Sequence, residues 1–372
     1  MPVEIRELII KADARQFVNV QFEIYKGNKY WVPPLKAGEI KSLFPETNPA
    51  FDFCKAKFWL AYNEGKCVGR IGCIINEAYN KKSGERMGRF SRLEFFNDEE
   101  IVSKLITTAE LWAQEQGMTG IHGPLGFANL DTQGMLVEGF YHLQSIGSVY
   151  HHPYYHEYLE KLGYVKEIDW LEFRLTLGVG AVEKANRGAG LIQKRYGIEV
   201  LHFKTISELL PYSDTIFKIL NDAFNDLPFV TEFTPKMMAF YKEKYIKLLN
   251  PEFVKIVKMK GELIGFIIGL PSLSEAMQKA NGKLFPFGFI HILKARKGKE
   301  VMDQMLTGVK KEVMSTGAGV VLMAEIQKEM ISKEMKYIET TGIFETNQNA
   351  ISNWKNYDHI QHKRKRCYRK IF

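Results

Sequence analysis

Tyr62-Asn-Glu-Gly65-Lys-Cys-Val-Gly69-Arg-Ile-Gly72 and Lys258-Met-Lys-Gly261-Glu-Leu-Ile-Gly265-Phe-Ile-Ile268 are two versions of one pattern. Each reads as a strand, a turn carrying glycine, and an apolar strand with a second glycine four residues after the first. Glycine at the turn supplies the positive φ of a tight hairpin. Glycine inside the following strand marks a bulge or a close backbone approach. A pattern that recurs with fixed offsets is the sign of an internal repeat.

The flanks repeat as well. Before the first hairpin, Phe17, Val20 and Ile24 have helical spacing, and Tyr30-Trp31-Val32-Pro33-Pro34 ends that helix. Before the second, Ile216, Ile219, Leu220, Ala223 and Phe224 do the same, followed by Pro228-Phe229. After the first comes a strand over Phe90–Phe96 and a helix with Ile101, Val102, Leu105, Ile106, Ala109 and Trp112 inward. After the second comes a strand over Val301–Val309 and a helix with Leu322, Met323, Ile326 and Met330 inward. The order of elements predicts two similar α/β domains, 1–177 and 196–372, joined by a Gly/Ala-rich connector over 178–195.

Composition agrees with two domains. The chain has 372 residues, 45% hydrophobic and 25% charged, in the ordinary globular range. No stretch approaches the roughly 20 apolar residues of a membrane span, and the start reads as a first strand, so the expected location is the cytoplasm. The four cysteines form no C-x-x-C pair and are expected as buried thiols. The net charge is +8, with much of the excess in His362-Lys-Arg-Lys-Arg-Cys-Tyr-Arg-Lys370. Such a surface suits an anionic ligand, or is a solvated strand with basic outward residues.

The junction between the fourth strand and the next helix is where the two copies part. A helix N-terminus presents unpaired N–H groups and binds anions. In the second copy, Thr307-Gly308-Val309-Lys310-Lys311 leads through Met314-Ser315-Thr316 to Gly317-Ala318-Gly319-Val320, a Gly-x-Gly at a helix start with hydroxyls and two lysines upstream. In the first copy, Phe95-Phe96-Asn97-Asp98-Glu99-Glu100 has no glycine. Its acids suit a helix cap but repel a pyrophosphate. The first copy is therefore expected to be degenerate as a phosphate binder.

With these residues in view, the chain resembles the GCN5-related N-acetyltransferase (GNAT) superfamily, as a bacterial tandem-GNAT protein. Gly317-Ala318-Gly319 falls on the family's pyrophosphate loop, with Met314 where Gln or Arg is usual. Lys336 to Asn347 resembles its fifth strand, Ala350 to Asp358 the helix after it, and the basic tail its closing strands. His152-Pro-Tyr-Tyr155 through Gly163-Tyr164 resembles the corresponding end of a first domain, and Gly123–Phe127 and Gly134–Phe140 fit the tandem subgroup. The resemblance implies an α/β (α+β) chain of two tandem GNAT-like domains, each a mixed, mostly antiparallel sheet flanked by helices. It implies a CoA-dependent N-acyltransferase using acetyl-CoA or another acyl-CoA, with a small-molecule or peptide amine as acceptor. In the family the acyl-CoA lies in a splay between strands four and five. Val309, Gly317, Ala318, Gly319, Val320 and Asn347 are then the expected cofactor-binding residues. Glu345 is the expected base and Glu339 the second candidate. The family's acidic tyrosine falls on Trp354, leaving Tyr357, three residues on, as its substitute.

Other constellations carry less. His151, His152 and His156 lack the H-E-x-x-H order, and Pro153 breaks their helix, so no metal is expected. Asp131-Thr-Gln-Gly134 lacks the remaining ligands of a calcium loop, and no G-x-S-x-G occurs. Tyr141, Tyr150, Tyr154, Tyr155 and Tyr158 line a groove or an interface. Lys279, Lys283, Lys294, Arg296, Lys297 and Lys299 crowd an insertion that flanks a cofactor mouth, binds a larger anionic partner, or is simply solvated. Two further functions fit the architecture. One is a Fem-type aminoacyltransferase using charged tRNA, which the surviving Gly-x-Gly argues against, as it does against nucleic acid as partner. The other is a non-catalytic acyl-CoA- or partner-binding protein. The sequence leaves the oligomeric state open.

Overall fold

The computed structural model describes residues 2–372 apart from 247, 353, 355 and 356, with the backbone alone at 179 and 349. The first part of the chain runs β1 (Glu4–Glu7), α1 (Lys11–Ile24), α2 (Lys36–Lys41), β2 (Cys54–Asn63), β3 (Lys66–Asn76), α3 (Glu77–Ser83), β4 (Met87–Phe95), α4 (Glu99–Glu115), β5 (Gly120–Gly123), β6 (Met135–Glu138), α5 (Tyr154–Lys161) and β7 (Val165–Thr176). It continues with α6 (Val179–Tyr196), β8 (Ile198–Leu201), α7 (Ile206–Leu209), α8 (Ser213–Phe224), α9 (Pro235–Tyr245), β9 (Val254–Met259), β10 (Glu262–Pro271), α10 (Ser274–Ala280) and α11 (Gly288–Ala295). It ends with β11 (Val301–Val309), α12 (Ala318–Ser332), β12 (Tyr337–Thr340), β13 (Ile343–Phe344), α13 (Gln348–Ser352) and β14 (Asp358–Ile371).

The two quoted patterns are hairpins of one kind. Glu64 and Gly65 have φ of 51° and 76°, Lys260 and Gly261 have 53° and 82°. Two successive positive φ values form the two-residue turn whose twist matches a right-twisted strand pair. Both second strands bulge one residue before the in-strand glycine, where the register slips between Ala61 and Tyr62 and between Leu263 and Gly265. A Cβ on Gly69 would come within 3.0 Å of the Glu94 carbonyl, and one on Gly265 within 3.0 Å of the Gly308 carbonyl. Each glycine thus lets the third and fourth strands of its copy approach.

Chain contacts divide the protein into two compact units that differ from the expected halves. The first unit comprises 1–171, 277–288 and 363–372; the second comprises 172–276 and 289–362. Within the first, the strand order is β1-β2-β3-β4-β5-β14, and within the second it is β8-β9-β10-β11-β12-β7. In each, only the fourth and fifth strands of the order pair in parallel, so both sheets are mixed and mostly antiparallel. The first core gathers Trp59, Phe90, Phe95 and Ile121 under α4, whose Ile101, Val102, Leu105, Ile106, Ala109 and Trp112 are all buried. In the second, α12 buries Leu322, Ile326 and Met330 as the periodicity predicts, together with Val321.

Two expectations are corrected here. The basic tail does not close the second copy. Tyr368, Arg369, Lys370 and Ile371 pair with Gly123, His122, Ile121 and Gly120 of the first unit, while Tyr337, Ile338 and Glu339 of the second pair with Thr176, Leu175 and Arg174. The closing strands are exchanged. Charge and burial account for the tail's place: Cys367 and Tyr368 are fully buried, Arg369 meets Glu85 and Glu167, Lys370 meets Glu110, and Arg364 and Arg366 grip Asp169. Burial alone would raise the Asp169 carboxyl, but hydrogen bonds from Arg366 and Arg364 outweigh it and hold it low. The tail's charge is thus largely matched by acids and is not an open anion-binding surface. The expected connector, in turn, is the regular helix α6, ended by Gly197 at φ +65° and packed on α12.

Candidate functional site

The repeat register makes the two copies comparable residue by residue. Gly69 faces Phe95 and Gly265 faces Val309. The next amides, of Phe96 and Lys310, bond to the carbonyls of Val68 and Ile264 at 3.1 and 2.9 Å. Phe95 therefore matches Val309, and Glu94 matches Gly308. Because backbone groups alternate sides along a strand, Phe95 and Val309 turn their own N–H and C=O away from the hairpin. In both units the fourth strand carries a register slip, opposite Arg70–Gly72 and opposite Ile268–Gly269. A bulge bends and twists its strand. Among the described residues, ladder pairing with the fifth strand stops at Arg89–His122 and at Gln304–Thr340. Past those pairs, β4 and β11 run on without ladder partners in the fifth strand among the described residues.

In the second unit, Val309 ends β11 and the chain runs on to the start of α12. Gly317 has φ +84°, a conformation that favours glycine, and an ideal Cβ there would lie 2.8 Å from the flexible end of the Ile192 side chain. Nothing lies within 4 Å of the Cβ position of Gly319. Ala318 is buried, and Val320 is exposed with its amide bonded to the Gly317 carbonyl at 2.9 Å. The Thr316 hydroxyl accepts from the Ala318 amide at 3.3 Å. Lys310 pairs with Glu262 and Lys311 with Asp226. An open glycine in the first helical turn, with no carboxylate in the turn itself, fits a pyrophosphate approaching from the Gly319 side.

The same place in the first unit is filled. The Tyr155 hydroxyl accepts from the Phe95 amide at 3.1 Å, and the Tyr154 hydroxyl donates to the Phe95 carbonyl at 2.8 Å. At the start of α4, the Asp98 carboxylate accepts from the Glu100 amide, and Glu100 accepts from the Val3 amide at 3.1 Å. A ligand arm lying along β4 would have to displace two tyrosines, and a phosphate would meet three acids.

Next to Phe95 lies a buried cluster that no local motif announces. Tyr25 and Tyr155 donate to Glu94 Oε2 at 2.6 and 2.8 Å, and Arg70 lies 3.8 Å from Oε1. Burial pushes the Glu94 carboxyl up to about 6, opposed by Arg70 and the two tyrosines. A cavity of about 140 Å3 adjoins it, lined by residues including Trp31, Arg70, Ser91, Arg92 and His151. Arg70 Nε and Ser91 Oγ are buried there without a hydrogen-bond partner among the described residues. His151 is held to about 3 by burial first, then by His152, Lys365 and Arg70. It is thus neutral, and its Nδ1 accepts from the Leu136 amide at 3.1 Å. The cluster joins residues 69 and 61 positions apart in the chain, which periodicity cannot reveal.

The remaining predicted site residues are spread along the second unit. Glu339 is buried on β12 opposite Asp303, in an ion pair with Arg174 and with His362 Nε2 2.6 Å from its carboxylate. Glu345 is half-buried in the turn after β13, and its carbonyl accepts from Gln348 Nε2. Asn347 caps α13, its Oδ1 accepting from the Ala350 amide at 3.2 Å. Tyr357 accepts from Gln327 Nε2 of α12 at 2.8 Å through its hydroxyl. Trp354 is buried and Met314 exposed.

No family model matches the chain. The protein YghO of Escherichia coli K12 is 26% identical over 375 residues, covering 98% of this chain and 95% of that one. The bacterial ceramide synthase of Caulobacter vibrioides NA1000 is 26% identical over 370 residues, covering 96% and 95%. Among solved structures, a tandem GNAT protein from the clavulanic acid biosynthesis pathway superposes over 99% of this chain and 98% of its own, at 11% identity and a TM-score of 0.56. The chain has the tandem GNAT fold.

Proposed function

We propose that the chain is a CoA-dependent N-acyltransferase in which the second unit holds the acyl-CoA and the first, degenerate as a GNAT, holds none. The observation that carries this reading is the contrast at the fourth strand: Val309 leads to an open glycine turn, whereas Phe95 is capped by Tyr154 and Tyr155. In this reading the Val309 backbone pairs with the pantetheine arm, and Gly317, Ala318, Gly319 and Val320 line the pyrophosphate. Asn347 acts from further off, through the start of α13. The thioester supplies an activated acyl group.

The attacking amine must lose a proton, which calls for a carboxylate. Glu345 takes that role, since Glu339 already balances Arg174. Tyr357 is the proton donor for the leaving thiolate. Its hydroxyl accepts from Gln327, which leaves its own proton to give. The name of the Caulobacter relative makes a long-chain amino alcohol the first acceptor to try, since a ceramide is the amide of one.

Calorimetric titration with acetyl-CoA and a long-chain acyl-CoA tests the first half of the reading. Saturable binding, lost in Gly317→Glu and kept in Glu99→Gln, is expected. No binding by a folded protein would sink it. Turnover across a panel of amines, with Glu345→Gln as control, separates an enzyme from a protein that only binds acyl-CoA.

A further inference from the structure

Residues 279–299 form one continuous basic and apolar stretch, Lys279-Ala-Asn-Gly-Lys283-Leu-Phe-Pro-Phe-Gly288-Phe-Ile-His-Ile-Leu-Lys294-Ala-Arg-Lys-Gly-Lys299. It holds six lysines and arginines and no acid. Six large apolar side chains are exposed within ten residues: Leu284, Phe285, Phe287, Phe289, Ile290 and Leu293, with Phe285 at 77% and Phe287 at 66%. Folding buries side chains of this size wherever it can, and a concentration of them on the surface marks an interaction site.

The stretch is built to present them. Its start is fastened within the first unit: Gln278 Nε2 donates to the carbonyls of Lys29 and Trp31, each at 2.9 Å, and the Lys36 amide bonds to the Gly282 carbonyl at 3.0 Å. The loop then closes on itself, because a Cβ at Gly288 would lie 1.9 Å from the Lys283 carbonyl. Leu284, Phe285 and Phe287 stand on that closed loop. Helix α11 follows, with Ile292 buried and Phe289, Ile290 and Leu293 exposed. Lys279 and Lys283 are exposed in the first unit's part of the stretch, and Lys294 and Lys297 in the second's.

We propose that this stretch docks the protein on an anionic membrane surface, the apolar side chains entering the interface and the lysines meeting lipid phosphates. Aromatic and aliphatic side chains next to lysines, without acids, match a layer that is apolar within and negative at its face. A second copy of the chain is a poor occupant, since two such patches face to face would set cation against cation. No described helix is long and apolar enough to span a bilayer, so the attachment is peripheral. The proposal stands whether or not the chain binds CoA.

Flotation of the full chain with vesicles tests it, using phosphatidylcholine alone and phosphatidylcholine mixed with phosphatidylglycerol. The protein is expected to float with the mixed vesicles, less so at high salt. The double change Phe285→Ser, Phe287→Ser is expected to lower partitioning at least about tenfold with melting unchanged, both side chains being exposed. Replacing Lys279, Lys283, Lys294 and Lys297 by Gln is expected to lower it and flatten the salt dependence. Failure to float with either vesicle overturns the proposal, as does floating equally well after both sets of changes. Binding to single-stranded DNA or self-association through the stretch, without flotation, would assign it to another partner and overturn the proposal too.

Discussion

At equivalent places in their sheets the two units make opposite choices. Glu94 stands where Gly308 stands, Phe95 where Val309 stands, and Asp98-Glu99-Glu100 open the helix that Gly317-Ala318-Gly319 open in the other copy. The first unit spends its fourth-strand edge on internal bonds to Tyr154 and Tyr155 and builds a buried polar cluster around Glu94. The second leaves that edge and the glycine turn without such a plug among the described residues. Among the described residues, one scaffold thus carries a capped and an uncapped version of the same strand edge. The difference lies in a few side chains, because the hairpins, bulges and strand order are shared.

The exchange of closing strands gives the strongest way to break the comparison. Removing 363–372 takes from the first unit a strand paired with β5 and β6 and leaves buried Asp169 without Arg366. It is expected to cost more than ~5 kcal/mol, most of a domain's stability. Hydrogen exchange would show protection lost in β4 and β5 and kept in β9 to β12. The reverse pattern would mean that the tail belongs to the second unit. Next in size is Gly317→Glu, which demands a positive φ of a larger residue and puts a negative charge at the turn. Acyl-CoA affinity should fall at least about 100-fold, or ~3 kcal/mol, by titration.

Glu94 sharpens the comparison through pH. Its folded carboxyl is pushed up to about 6 by burial, so folding favours the protonated form. The stability it contributes is full in acid and is lost as pH rises through about 4.5 to above 6. The span is worth ~2 kcal/mol at 1.36 kcal/mol per unit. Denaturation midpoints of the wild type minus those of Glu94→Gln should show that slope, since other groups cancel. A flat difference would mean that Glu94 is less desolvated than its cage suggests. At the small end, Glu99→Gln should move stability by no more than ~0.5 kcal/mol and leave acyl-CoA affinity unchanged, as a calorimetric control.

Much of the fold was legible because its signals are local. The Glu64-Gly65 and Lys260-Gly261 turns, the strand over Val301–Val309 and the inward face of α4 need only neighbours in sequence to be read. The Gly317-Ala318-Gly319 pattern at a helix start could be seen from its neighbours too, but the left-handed φ of Gly317 could not. The Glu94 cage was not, because Tyr25, Arg70 and Tyr155 reach it only after folding. Nor was the plug on Phe95. The tyrosines behind it were noticed as a group, but a groove and a filled slot look alike in sequence. The tail was read as a free basic surface because its acids, from Glu85 to Asp169, lie some two hundred residues or more away.

By itself the sequence determined that the chain repeats, where the hairpins and the helices beside them lie, and which copy has glycines after the fourth strand. These follow from backbone preference and from the period of apolar residues. Only the tertiary structure decided which strand closes which sheet, whether an edge is open or capped, and which charges are matched. Those outcomes depend on contacts between distant segments, where burial changes the energy of a charge or a backbone group far more than its own sequence neighbours do.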